Sequence, residues 1–330
     1  MWGSIGKMAG WGLGVVLAGL PFLFYNSHFS PYEVPKTWLL TGCAVVSLVL
    51  AIGRHESLGV KLDRKLVWSV AILWGWLFAV SLTTGEFWSS WWGNPYRADG
   101  LLTLLAMITL GLTFPVSDKW LRLVAISNLI LTTWVLVVGE REMGLTLGHA
   151  NMLAGYLAVT LPTFFLWGKD KRWLGLLSLL AIWQTGSWGG LLVGVVAVIA
   201  PWLRKMPKLV FAIVLVVLVA VGWGYQVEYQ RKAIPGYIVA ESRERILMKA
   251  VLAIKEKPIL GWGWSQFSRA FTQIDYPEHF LVDAYVDRTH ASVLEYGVAG
   301  GILAMVIYGW ITINAVGKLW MRPSIAGRTL

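Results

Sequence analysis

The sequence predicts an all-α fold: a polytopic membrane protein with about ten transmembrane helices and one large, partly helical extracytoplasmic loop before the last helix. Three observations predict it. Apolar residues make up 57% of the 330 positions and charged residues only 14%, a balance foreign to a soluble domain of this length. The apolar residues are gathered into long runs separated by short, charged connectors. The chain also carries 21 Trp, whose apolar ring and polar N–H both find partners where membrane meets water.

The apolar runs fall at about 8–25, 37–53, 66–84, 100–117, 119–139, 151–168, 172–185, 187–204, 208–226 and 292–316. The first follows Lys7 and has no small-residue cleavage site, so it reads as a retained helix rather than a signal peptide. Several runs are shorter than the roughly 20 residues needed to cross squarely, and 172–204 reads either as two crossings or as one long broken helix. Connector charge favours two. With a cytoplasmic N-terminus, Lys7, the connectors 54–65, 118–122, 168–172 and 203–208, and the tail 318–328 hold 16 of the 28 Lys and Arg. The opposite loops, 26–36, 85–99 and 140–150, hold only Lys36, Arg97 and Arg141. This asymmetry predicts ten crossings with both termini cytoplasmic. The chain then divides into transmembrane helices 1–9 (1–226), an extracytoplasmic loop domain (227–290), and the last helix with its cytoplasmic tail (291–330).

The net charge of +10 does not point to nucleic acid, because Lys and Arg recur between apolar runs and form no basic stripe interleaved with aromatics. Cys43, the single cysteine, sits in an apolar run and reads as a small buried hydrophobe with no disulfide role. Ionisable residues are nearly absent from the runs, Glu295 being the clearest exception, which argues against an ion-coupled carrier. Gly186, Gly190 and Gly194, and likewise Gly297 and Gly301, lie at the four-residue spacing that lets helices approach closely.

Within the loop domain, Ser242–Lys257 reads as a helix: Ser242 can cap it, apolar residues follow from Ile246 to Ile254, and Pro258 stops it. Arg245 and Lys249 stand one turn apart on one face, with Arg243 on a neighbouring face. Three readings of that basic face stay open: contact with lipid headgroups, a phosphate pocket, or plain solvation. In ILGWGWSQF (259–267) Gly261 and Gly263 permit tight turns. Trp262 and Trp264 read as interfacial anchors, with stacking on a sugar as the alternative. The loop closes on Asp287-Arg288-Thr289-His290 at the mouth of the last helix. A histidine there is either structural or a neutral imidazole able to take a hydroxyl proton near neutral pH.

Five segments, in order, resemble the O-antigen ligase and polymerase superfamily of bacterial membrane glycosyltransferases. They are WWGNPYRADGLLT (91–103), TLGHANMLAGYLAVTLP (146–162), QTGSWGGLLVG (184–194), SRERILMKAVLAIKEKPILGWGW (242–264) and DRTHASVLEYGVAGG (287–301). The first 85 residues add generic helices. The resemblance implies transfer of a glycan from an undecaprenyl diphosphate carrier to a hydroxyl of a lipid, glycan or protein acceptor. It places that reaction at the outer face of the bacterial plasma (inner) membrane, without metal or other cofactor, in lipopolysaccharide or other cell-surface polysaccharide biosynthesis. It implies His290 as the group assisting the acceptor, and Arg245 or Arg243, with Arg97 and Arg288, as diphosphate ligands. His149, Asn151, Lys249, Trp262, Trp264 and Glu295 are further candidates.

The chain departs from the superfamily pattern in three places: Ala291 follows His290 where Asn is usual, His149-Ala150 replaces Asn-Pro, and Trp188 replaces Arg. His149 can stand in for the missing Asn as a hydrogen-bonding group. Ligase and polymerase share these motifs. A carrier or flippase of lipid-linked glycans, and a non-catalytic scaffold, are the readings from other classes. The residue types suit the chemistry, since guanidiniums bind phosphate oxygens bidentately and offset charge on a diphosphate leaving group. No Asp-Asp or Asp-x-Asp pair offers a divalent metal its ligands.

Overall fold

The computed structural model describes residues 2–26, 30–53, 63–114, 117–139, 144–203, 243–274 and 286–321. Among them there are helices and no strands: α1 (Trp2–Gly19), α2 (Glu33–Gly53), α3 (Arg64–Thr83), α4 (Phe87–Trp92), α5 (Leu101–Thr113), α6 (Asp118–Val138), α7 (Ala150–Thr160), α8 (Pro162–Trp167), α9 (Trp173–Gln184), α10 (Trp188–Leu203), α11 (Arg243–Glu256), α12 (Phe267–Gln273) and α13 (Ser292–Met321). Five stretches are long and apolar enough to cross a membrane: Glu33–Ile52, Arg64–Thr83, Asp118–Val138, Ala150–Trp167 and Ser292–Gly317. Four shorter apolar helices accompany them, Gly10–Phe22, Leu101–Thr113, Trp173–Gln184 and Trp188–Ile199. Nine of the ten predicted runs fall on these helices, and the run 208–226 lies outside the described residues, as do the tail from 322 and much of the 227–290 loop.

Helix ends follow local chemistry. Asp63 accepts from the Lys65 amide (2.9 Å) and Ser117 from the Trp120 amide (3.3 Å), which starts α3 and α6. These caps satisfy amides that a helix start leaves orphaned. The stretch 172–204 is two helices, broken where Gly186 adopts a positive φ of 71°. They fold back on each other: a Cβ on Gly194 would meet Leu179 and Ile182, and one on Gly190 would collide with Ala154 of α7. The glycine spacing read from the sequence therefore serves close packing here. Between α6, α7 and α9 a buried polar knot joins the helices: Asn128 donates to Leu157 O (2.9 Å) and Thr160 Oγ1 (2.7 Å) and accepts from Thr132 and Ser178.

Four connectors meet at one end of the bundle. Ser30 donates to the carbonyl of Tyr96 (2.6 Å), Lys36 to that of Thr146, and Arg97 and Arg288 reach aspartates across the 85–99 and 286–290 segments. The end that gathers these loops holds the Arg97–Asp287 and Arg288–Asp99 pairs, which link distant parts of the described chain.

The last helix is interrupted there. Gly300 (φ −136°, ψ 19°) and Gly301 (φ 72°, ψ −171°) leave helical geometry, and the turn after α11 plugs the gap. The Trp262 amide donates to Val298 O (2.7 Å), the Gly263 amide to Ala299 O (3.0 Å), the Ile302 amide to Pro258 O (2.8 Å), and Trp76 Nε1 to Gly300 O (2.7 Å). Backbone groups that a break would leave unsatisfied in an apolar surround, at several kcal/mol each, are thereby paired. The sequence spacing Gly297-Gly301 suggested helix packing alone; only Gly297, against Ile254, serves that purpose. At Gly301 a Cβ would sit 2.3 Å from the Ile259 carbonyl oxygen, in a φ/ψ region open essentially to glycine. Gly301→Ala is expected to destabilise the protein by at least about 1–3 kcal/mol, read as a lowered melting temperature in detergent. Gly297→Ala should cost much less, because a Cβ there meets side chains alone, Ile254 and the Met305 sulfur, and no backbone.

Candidate functional site

The site begins with two short segments that have little regular structure of their own. The loop after α4 turns through Asn94, whose carbonyl accepts from the Arg97 (3.0 Å) and Ala98 (2.7 Å) amides, and delivers Arg97 and Asp99 just before α5. The segment 286–291 leads into α13 without regular structure. The two are cross-linked reciprocally: Arg97 pairs side-on with Asp287, its Nη2 donating to Oδ1 at 3.2 Å, and Arg288 pairs with Asp99. Asp99 also accepts from Ser265 Oγ (2.9 Å) and the Asn94 amide (3.2 Å), and its own carbonyl takes the Trp264 indole N–H (2.8 Å). Burial works against the Arg288 charge, but Asp99, helped by Glu295 and Asp287, outweighs it and holds the guanidinium above the usual arginine pKa.

These groups border a cavity of about 420 Å³. Its polar wall is Asp99, Arg288, His290, Ser292 and Glu295, and its aromatic and apolar wall is Trp264, Tyr296, Tyr308, Leu104 and Met107. Glu295 is buried and accepts from the Thr289 amide at 2.8 Å. His290 is exposed at the rim with a positive φ of 57°. Four non-glycine residues among those described have positive φ, and three of them, Ala98, Ser265 and His290, flank or contact the Asp99–Arg288 pair. Such strain persists only where the surroundings over-determine the backbone, and it gathers at working sites.

The sequence-predicted residues divide into three groups. Arg288, His290, Trp264 and Glu295 line the cavity; Arg97 does not, and pairs with Asp287, the chain neighbour of Arg288. Arg245 and Lys249 stand together elsewhere, at 5% and 3% exposure beneath α12. Lys249 donates to Phe271 O (2.7 Å) and lies 4.1 Å from the Phe271 ring centre, while the Arg245 guanidinium lies 5.8 Å from it. Their burial corrects the readings of this face as solvated or resting on lipid headgroups. The same helix buries Ile246, Ala250, Ala253 and Ile254 on that stripe, so the basic pair is part of its packed side. Of Arg243 only the backbone, which opens α11, is described. His149 and Asn151 form a third group, in which His149 Nδ1 accepts from the Asn151 amide (3.0 Å) and caps α7.

The two tryptophans also correct the sequence reading. Trp262 is 2% and Trp264 7% exposed, so neither is an interfacial anchor. Trp262 donates to Ala253 O (3.0 Å), with the Lys257 ammonium 3.7 Å from the Trp262 ring centre. Asp99, Asp287, Ser265, Tyr296 and Tyr308 are the neighbours that sequence reasoning missed. One signal was present: Arg97-x-Asp99 and Asp287-Arg288 each set an arginine close to an aspartate in the chain.

No group of three or more His, Cys, Asp or Glu among the described residues is arranged to hold a metal ion. Comparison with known proteins yielded no match to a curated protein and none to a solved structure. Residues 143–309, half of the chain and every cavity residue contributed by Trp264 and the 288–308 region, match the family described as O-antigen ligase. This membrane protein, with its apolar helices gathered under a charged cavity, therefore belongs to the O-antigen ligase family.

Proposed function

We propose that the protein transfers a glycan from a polyprenyl diphosphate carrier, of the undecaprenyl type, to an acceptor hydroxyl on a lipid, glycan or protein. The observation that carries this reading is the placement of His290 and Arg288 on one cavity, in a chain of the O-antigen ligase family. The acceptor O–H meets His290, whose imidazole takes the proton as the oxygen bonds to the anomeric carbon. The bond from that carbon to the phosphate oxygen breaks on the opposite side, and its electron pair leaves on the polyprenyl diphosphate. Attack from the face opposite the leaving group inverts the anomeric centre.

Arg288 and Arg97 hold the departing diphosphate. A guanidinium has five N–H donors; the side-on contact of Arg97 with Asp287 uses two of its nitrogens, which leaves capacity for a phosphate oxygen. The aspartates fix both guanidiniums in place before the charge develops, the form of electrostatic preorganisation that lowers barriers most. Arg245 and Lys249 take no part in this step, because both are buried beneath α12, where Lys249 donates to Phe271 O. The cavity end of the bundle faces the extracytoplasmic side of the plasma membrane in this reading, with both termini in the cytoplasm, as the Lys and Arg asymmetry of the connectors requires.

The test is reconstitution of the purified protein in liposomes with a lipid-linked glycan donor and an envelope-lipid acceptor. The expected result is a new glycosidic bond of inverted configuration by NMR, with release of polyprenyl diphosphate in equal amount. Movement of intact donor between leaflets without product would replace this reading with that of a carrier, and retained configuration would overturn the single-displacement step.

A further inference from the structure

His290 borders the cavity in a left-handed backbone conformation, φ 57°, which a non-glycine residue keeps only where its surroundings over-determine it. Both of its neighbours supply such restraint. On the N-terminal side, the Thr289 amide donates to Glu295 Oε2 at 2.8 Å. Glu295 stands in the first turn of α13, so its carboxyl reaches back past the start of its own helix. On the C-terminal side, the Ala291 amide donates to Thr289 Oγ1 (3.2 Å), and that hydroxyl donates in turn to the Ala291 carbonyl (2.9 Å). The Glu295 amide donates to the same carbonyl at 2.9 Å. Ala291 comes just before the first helical residue and brings no side-chain oxygen with which to cap the helix. Thr289 and Glu295 are 0% and 9% exposed, so water competes weakly for these bonds. The imidazole between the two tied residues is itself exposed at the cavity rim.

We infer that Thr289 and Glu295 are positioning residues for His290: by tying the residues on either side of it, they hold the imidazole at the cavity for the acceptor hydroxyl and take no part in the proton transfer themselves. This rests on the transfer reading proposed above. Glu295 also lines the cavity, so a direct chemical role for its carboxyl is the competing reading. The bond to the Thr289 amide separates the two. It needs an acceptor oxygen alone, which a glutamine side chain supplies and a methionine side chain does not. The bonds to Ala291 need a hydroxyl at position 289, which serine supplies and valine, close to threonine in shape, does not. A misplaced general base slows the chemical step and leaves donor binding largely as it was.

The experiment measures transfer by the full-length protein in liposomes, from a polyprenyl-diphosphate-linked glycan to an envelope lipid, with kcat and donor KM taken separately and a thermal melt on each variant. Glu295→Met is expected to lower kcat by roughly 10–10²-fold with little change in KM, the usual result of displacing a reacting group by about 1 Å. Glu295→Gln should keep most of the activity. Introduced beside His290→Ala, Glu295→Met should lower the residual rate no further, because a residue that acts through the imidazole then has nothing left to place. If Glu295→Met does not fold, Thr289→Val against Thr289→Ser makes the same comparison, with the loss expected in the valine variant alone. Equal losses in Glu295→Gln and Glu295→Met assign the carboxyl itself to the chemistry and overturn the inference. A further fall in the His290→Ala background, or full activity in folded Glu295→Met or Thr289→Val, also overturns it. Absence of transfer by the wild-type protein, or normal transfer by His290→Ala, overturns the transfer reading instead.

Discussion

Replacement of His290 by alanine is expected to lower glycan transfer by roughly 10²–10⁴-fold, the usual contribution of a positioned general base, with little change in melting temperature. The side chain is exposed at the cavity rim, so its removal opens no internal void. The backbone at His290 is left-handed, φ 57°, a conformation that alanine tolerates about as poorly as histidine and glycine tolerates freely. That distinction separates two roles. If the imidazole does the chemistry, His290→Ala and His290→Gly are both inactive, and His290→Asn, which suits the left-handed region and hydrogen-bonds but takes up no proton, is inactive as well. If the residue matters only for the turn it makes into α13, the glycine and asparagine variants retain transfer. Release of polyprenyl diphosphate by each purified variant, beside its thermal melt, decides between them, and near-normal release by the alanine variant removes the general-base assignment.

Apolar periodicity and length were enough to locate the helices, because in an apolar solvent each backbone polar group must be satisfied within its own segment. The runs at 66–84 and 119–139 correspond to Arg64–Thr83 and Asp118–Val138 almost residue for residue. The site was legible in part. Arg288, His290 and Glu295 could be marked from charge at a helix mouth, and Arg97 from a recurrent motif. The partners of the arginines could not, since Asp99 and Asp287 lie about 190 residues from the guanidiniums they hold and no local spacing records such a pairing. The basic pair Arg245 and Lys249 stands at helical spacing, as on a solvated face, yet α12 covers it. Gly301 looked like one half of a packing motif, and its role in breaking α13 emerges only from the turn 258–263 that fills the gap.

Arg288 is the position where stability and donor binding should come apart. Arg288→Ala removes the cation from Asp99, which keeps its contacts with Ser265 and the Asn94 amide but faces the cavity with an uncompensated charge. The expected cost is about 1.5–3 kcal/mol of stability, that of a charged hydrogen bond at a partly buried site, together with loss of donor affinity. Asp99→Asn keeps the shape while weakening the hold on the guanidinium, so its effect should be smaller on both counts. The informative variant is the double replacement Asp99→Asn with Arg288→Gln. A neutral pair leaves no lone charge behind, and replacing both partners of an ion pair is often close to neutral, so the melting temperature should recover most of what Arg288→Ala loses. Donor binding should not recover, because the neutral pair offers the diphosphate no guanidinium. Thermal melts and equilibrium binding of a lipid-linked donor, measured on the same three proteins, test this directly. Recovery of both quantities in the double variant would assign Arg288 to the architecture of the 94–99 and 286–291 segments and leave the diphosphate to Arg97.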